Sequence, residues 1–175
     1  MTRITRNYDE LYHYGVLGMK WGHHKINLDK YKSTISNKNE PTILGENHKS
    51  TTAVFLGSII PSLKKQQAKY KDYDLVDHEG NKVGSISTFY HDKNTCNIPW
   101  LDVKRKYRGS GYAQSAIRQI IKDAKSKGFK QVTLEVPTRS PDARHIYEKN
   151  GFVAGRQITD SSDVWGGLTE MKLKL

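Results

Sequence analysis

The residues best equipped for chemistry lie in the run Lys104-Arg105-Lys106-Tyr107-Arg108-Gly109-Ser110-Gly111-Tyr112-Ala113. Glycines at 109 and 111 let the backbone come close to a ligand. The loop leads into an apolar-periodic stretch, and the N-terminus of a helix there offers free amides to an anion. A pyrophosphate fits such a place. A Walker A loop requires Lys followed by Ser or Thr after its last glycine, but Tyr112 follows Gly111. A dinucleotide fingerprint requires a small residue three positions beyond Gly111, where Gln114 stands. Roughly 40 residues after the next strand are also too few for a doubly wound sheet.

The elements around this loop are legible from periodicity. Tyr73 to Asp77 and Lys82 to Tyr90 read as two strands around Gly80-Asn81, and Asn97 to Val103 as a third strand that delivers the chain to the loop. In Gly111 to Lys127, Ala113, Ala116, Ile117, Ile120, Ile121 and Ala124 recur at helical spacing, Lys125 and Lys127 suit the helix C-terminus, and Gly128 caps it. Gln131 to Val136 alternates as a strand. Ala143, Ile146 and Tyr147 mark a short helix closed by Asn150-Gly151, and Phe152 to Ile158 and Leu168 to Leu175 read as terminal strands. Upstream, Ala53 to Leu63 reads as an entry strand or short helix, and Leu63 to Lys71 as its helical continuation. Residues 26 to 50, with Ser36, Asn37, Asn39, Pro41, Gly45 and Asn47, read as a linker. The order is mixed α and β, ending β-α-β-α-β-β.

The chain of 175 residues is long enough for one domain and an extra segment. Apolar residues make up 35% and charged residues 27%, so a polar part is expected outside the core. No apolar run approaches the roughly 20 residues that cross a bilayer. The first residues lack the apolar stretch and cleavage site of a secretory signal, so the protein is expected to stay where it is made, away from membranes. Cys96 stands alone, which excludes an internal disulfide and a thiolate-rich metal cluster. Of the net charge of +11, residues 101 to 130 carry nine basic side chains against Asp102 and Asp123, so an anionic partner is expected there. A polynucleotide and a small polyphosphate both suit such a patch.

A third glycine-rich reading, Arg108-x-x-Gly111-x-Ala113 between a strand and a helix, resembles the coenzyme A pyrophosphate loop of the GNAT superfamily of N-acetyltransferases. The resemblance covers roughly residues 55 to 175. It is strengthened by Leu134-Glu135-Val136 followed by Ser140 to Phe152, which looks like the superfamily's second signature, a short helix ending Tyr-Glu-Lys-x-Gly-Phe. The resemblance implies a GNAT fold over residues 51 to 175, a central mixed sheet splayed between the strands ending at Val103 and Val136 and flanked by helices, preceded by a polar extension over residues 1 to 50. Acetyl-CoA is the implied cosubstrate, with no metal. Pantetheine would lie along Leu101 and Val103, and the amides of Arg108, Gly109, Ser110, Gly111, Tyr112 and Ala113 would hold the pyrophosphate, with phosphate contact from the Arg108 side chain.

By the same resemblance Tyr147 protonates the departing thiolate, and Glu135 matches the general base of the ribosomal-protein alanine acetyltransferases, with Asp102 or a water relay as alternatives. Ser140 stands where members often carry Asn, so contact with the pantetheine arm would come from a hydroxyl, and Pro137 and Pro141 stiffen the connection. The implied reaction is acetyl transfer to a primary amine of a protein or small molecule. Acceptor specificity would come from residues 51 to 72 and 156 to 170, where Asp160, Asp163 and Glu170 suit a cationic amine. With coenzyme A phosphates accounting for the basic patch, nucleic acid is not an expected partner.

Ahead of this domain, Tyr12 to Lys25 concentrates aromatics, Met and Gly in the manner of a docking peptide. Its Tyr14 to Lys25 portion, with Gly-Met-Lys-Trp-Gly at its centre, resembles a short element near the N-terminus of various proteins encoded by phages and prophages of Gram-positive bacteria, several of them virion-associated. That implies a phage-encoded protein, in the host cytoplasm or on the virion, docking to a capsid or other virion component. His13, His23 and His24 lie here, but no carboxylate or thiol completes a metal set. The competing reading is a non-catalytic virion component that keeps the GNAT fold.

Overall fold

The computed structural model describes residues 34–47, 69–158 and 167–175. The expectations for Tyr12 to Lys25 and for Ala53 to Leu63 lie outside these residues, as do Asp160 and Asp163. Within them the chain forms β1 (Thr34–Ile35), β2 (Ile43–Glu46), β3 (Tyr70–Val76), β4 (Lys82–Tyr90), β5 (Thr95–Val103), a single 3₁₀ turn (Arg105–Tyr107), α1 (Tyr112–Ser126), β6 (Gln131–Pro137), α2 (Pro141–Lys149), β7 (Val153–Gln157) and β8 (Leu168–Lys174).

One eight-stranded sheet runs in the order β1-β2-β3-β4-β5-β6-β8-β7. Every pairing is antiparallel except that of β5 with β6. The parallel pair needs a crossover, and α1 supplies it. Its apolar stripe packs on the sheet: Ala116, Ile117, Ile120 and Ala124 are at most 1% exposed and join Cys96, Ile98, Val132 and Leu134 in the core. Burying the two isoleucines alone contributes roughly 1.5–3 kcal/mol each. Both helices end as their sequences announced. Gly128 and Gly151 take positive φ, and the amides of Phe129 and Phe152 reach back five residues to the carbonyls of Ala124 and Tyr147.

Two expectations are corrected. The stretch read as a linker contains β1 and β2, and Leu44 is fully buried. Its turn-forming residues make the connection of a hairpin: the Asn39 amide donates to Asn37 Oδ1 and the Glu40 amide to the Asn37 carbonyl. Side chains then fasten this hairpin to α1. Arg118 Nε and Nη2 donate to the two Glu40 carboxylate oxygens at 2.8 and 2.6 Å, and Gln119 Nε2 donates to the Thr42 carbonyl at 2.8 Å. The folded unit therefore includes residues 34–47, ahead of the expected boundary at 50. Secondly, β3 begins at Tyr70, so the helix expected to continue to Lys71 gives way to strand by that point.

Candidate active site

β5 and β6 pair only from Thr95 with Gln131 to Ile98 with Leu134. Beyond that point β5 runs on to Val103 and β6 to Pro137 without pairing to each other, so a wedge opens in the middle of the sheet. Its cause is local. Ser87 pairs with Trp100 and Phe89 with Asn97, so Thr88 alone on β4 faces both Ile98 and Pro99 on β5. The extra residue is a β-bulge, which bends its strand, and Pro99 has no amide to give to a neighbour. On the other side of β5 the sheet stays tight. A Cβ on Gly84 would stand 2.1 Å from the Asp102 carbonyl, so only glycine allows β4 to hold β5 in place there.

A cavity of about 890 Å³ occupies the wedge and the space between the ends of the helices. Leu101 and Val103 form its strand wall, and Arg108, Gly109, Gly111, Tyr112 and Ala113 its loop wall. Ser140 and Tyr147 close it from α2. Gly109 and Gly111 have φ of 82° and 79°, in the left-handed region, and Gly111 is the N-cap of α1. That cap has no side-chain hydrogen bond, and the first turn of α1 carries no acidic residue. Among the described residues the amides of Gly109 to Gln114 donate to no backbone carbonyl. A helix N-terminus left in this state is an anion site.

Arg108 is arranged differently from its sequence expectation. Its amide donates to the Arg105 carbonyl, so the free amides begin one residue later, at Gly109. Its guanidinium folds back, Nε donating to the Val103 carbonyl at 2.8 Å and Nη2 lying 3.5 Å from Asp102 Oδ1. It ties the loop to the end of β5.

Tyr147 sits on the cavity side of α2. The turn at Gly151 brings Phe152, 3% exposed, edge-on against its ring, with centroids 5.9 Å apart and the planes inclined at 65°. Burial raises the Tyr147 pKa above its usual value, so the phenol keeps its proton. No hydrogen bond holds the Tyr147 hydroxyl among the described residues. Ser140 is the N-cap of α2, and its hydroxyl makes no capping bond.

Glu135 and Ser110 do not line the cavity. Val132, Leu134 and Val136 turn toward α1, so alternation sends Glu135 to the opposite face of the sheet, where it is exposed and directly opposite Glu170 of β8. Asp102, the other candidate base, does line the cavity. Arg139, Asp142, His145 and Ile146 also line it, and sequence reasoning had assigned them nothing. For Ile146 the signal was available, since Ala143, Ile146 and Tyr147 share one helical face. For Arg139 and His145 only nearness to Ser140 and Tyr147 pointed that way. Among the described residues no group of three or more His, Cys, Asp or Glu side chains is placed to hold a metal ion.

A mixed sheet split along its one parallel seam, with an uncapped helix N-terminus at the opening, defines the acetyltransferase class of α/β folds. The chain matches the Acetyltransferase (GNAT) family over residues 48–152, more than half its length, and belongs to that family. Residues 7–27 match a second model, a family of unknown function (DUF7211).

A 46-residue stretch is 39% identical to the uncharacterized N-acetyltransferase YycN of Bacillus subtilis, covering 26% of this chain and 30% of that protein. The match thus spans less than a third of the curated relative's length. A GNAT family acetyltransferase from Elizabethkingia anophelis, solved with acetyl-CoA bound, superposes with a TM-score of 0.59 at 14% identity, over 77% of this chain and 99% of that one. The spermidine N-acetyltransferase of Vibrio cholerae, in complex with CoA and spermine, gives 0.57 at 16% identity over 68% and 73%. Ard1 from Thermoplasma volcanium gives 0.56 at 18% identity over 67% and 78%.

Proposed function

We propose that this protein transfers an acetyl group from acetyl-CoA to a primary amine of a protein or a small molecule. The observation that carries this reading is the row of unclaimed amides from Gly109 to Gln114 beside the wedge. They suit the pyrophosphate of coenzyme A, and the Ser140 hydroxyl and the strand wall at Leu101 and Val103 suit its pantetheine arm. Family membership and the acetyl-CoA bound to the Elizabethkingia anophelis neighbour support the same assignment.

The amine must lose a proton before its lone pair attacks the thioester carbonyl. The carbon–nitrogen bond then forms, the nitrogen gives up its second proton to the base or to water, the carbon–sulfur bond breaks, and the thiolate takes a proton. Glu135, on the face away from the cofactor cavity, is our candidate to accept the amine proton, directly or through water. Tyr147, kept protonated by burial, is our candidate to donate that proton to the thiolate.

The Tyr12 to Lys25 segment, within the 7–27 match to a separate family, is proposed as an address that docks the enzyme to a phage virion component. Calorimetric titration of the full chain tests the central claim. Micromolar acetyl-CoA binding is expected, and cofactor at about 100 times its dissociation constant then adds roughly 2.7 kcal/mol to thermal stability. Absence of both effects would sink the transferase reading and leave a scaffold that keeps the fold.

A further inference from the structure

On the sheet face turned away from α1, the strands on the β5 side of the wedge carry carboxylates and an exposed indole. Alternation along β5 sends Leu101 and Val103 to the helix side and Trp100 and Asp102 to the other. Trp100 pairs with Ser87, and Ser87 with Asp72, so these three share that face in a row across β5, β4 and β3. The Ser87 hydroxyl donates to Asp72 Oδ1 at 2.6 Å, which fixes the carboxylate beside the indole's strand.

Trp100 is 45% exposed, in a strand whose Cys96 and Ile98 are at most 3% exposed. It is the first residue past Pro99, where β5 leaves β6, and it therefore stands at the mouth of the wedge on the side opposite the cofactor cavity. Glu135 marks the other lip of the same opening. Asp102, 45% exposed in its side chain, lines the passage, and its contact with Arg108 at 3.5 Å joins two largely solvated groups, too weak a pairing to cancel it. In a protein of net charge +11, an exposed indole with Asp102 two residues along its strand and Asp72 two strands across the same face is a place suited to a cation.

We infer that Trp100 is the specificity-determining platform of the acceptor site and that the acceptor is an amine bearing a second positive charge. The reacting nitrogen enters the wedge beside Glu135. The distal ammonium lies over the Trp100 indole, with Asp102 and Asp72 as counter-charges. This assignment rests on the acetyl-transfer reading above.

Two probes with the same four-carbon chain separate the effects: butylamine, and 1,4-diaminobutane, which adds only the second ammonium. With CoA release followed by a thiol reagent on the full chain, kcat/KM for the diamine should exceed that for butylamine by about tenfold. Trp100→Ala should remove that preference by raising KM for the diamine about tenfold, with kcat and butylamine turnover little changed, while Trp100→Phe retains most of it. Acetyl-CoA affinity, measured by calorimetry, should be equal in all three proteins. Equal use of the two amines by the intact protein, or equal losses for both in Trp100→Ala, would overturn the inference and leave the transferase reading standing. Should the intact chain fail to bind acetyl-CoA, the transferase reading falls separately. Titration with 1,4-diaminobutane alone then decides the platform: binding lost in Trp100→Ala upholds it, and no binding to the intact chain removes it.

Discussion

Gly111 and Gly128 offer a matched pair of perturbations. Both are in the left-handed region, at φ of 79° and 81°, and a Cβ built on either meets no atom within 4 Å. Replacing either by alanine therefore introduces no clash, only the backbone cost of holding a side chain at positive φ, about 1–2 kcal/mol. For a chain of this size each substitution should lower Tm by about 2–8 °C. They differ in place. Gly111 is the N-cap of α1 on the cavity wall, whereas Gly128 follows the far end of the same helix. A methyl group on Gly111 projects into the open space at the anion site and displaces one charge-assisted hydrogen bond, worth about 1.5–3 kcal/mol. Acetyl-CoA affinity of Gly111→Ala should thus fall about tenfold or more, with Gly128→Ala unchanged. Calorimetric titration of the two variants beside the intact protein reads both numbers. Equal affinity in Gly111→Ala and Gly128→Ala, at equal loss of Tm, would refute the placement of the phosphates on this helix.

Two further outcomes are expected. Tyr147→Phe should lower kcat about a hundredfold while leaving acetyl-CoA affinity within a factor of two, as single-turnover and binding measurements would show, because only the proton of the phenol is removed. Arg118→Ala should cost about 1–2 kcal/mol in chemical denaturation and Glu40→Gln less than that. The first strands a carboxylate whose side chain is 11% exposed, and the second leaves a guanidinium 44% exposed and free to turn to water. The bond from Arg118 holds the Glu40 carboxyl below its usual pKa. Its stabilising effect is therefore full above about pH 4.5 and fades as pH falls through the lowered value. Acid unfolding of Arg118→Ala should accordingly begin at higher pH than in the intact protein.

Sequence reasoning reached the elements whose signals are local. α1 and β6 have clear periodicity, β4 follows the Gly80-Asn81 turn, and the Gly111, Gly128 and Gly151 punctuation marks the helix ends. It missed β1 and β2 because two and four residues carry too little pattern, and because Asn37, Asn39 and Pro41 serve a hairpin turn as readily as a linker. The cavity walls were legible through the glycine loop and Tyr147. What escaped was direction. That Arg108 folds back to Val103 depends on packing that no spacing encodes, whereas the face of Glu135 was implicit in the alternation of Val132, Leu134 and Val136. The bulge did leave a trace, since Pro99 in the middle of an otherwise regular strand signals a break in pairing.

The seam between β5 and β6 has a consequence for assembly. The strands β3, β4 and β5 form a meander from neighbouring chain, while β6, β7 and β8 form a second antiparallel group, and only the four register pairs from Thr95 to Leu134 join the two sheets' worth of strands directly. Each group supplies one wall of the cavity, so neither can grip a cofactor by itself. On the proposed function, a nascent or partly opened molecule would be blind to acetyl-CoA, and the cofactor would become a proofreader of the finished fold, recognising a chain only after its two halves have met.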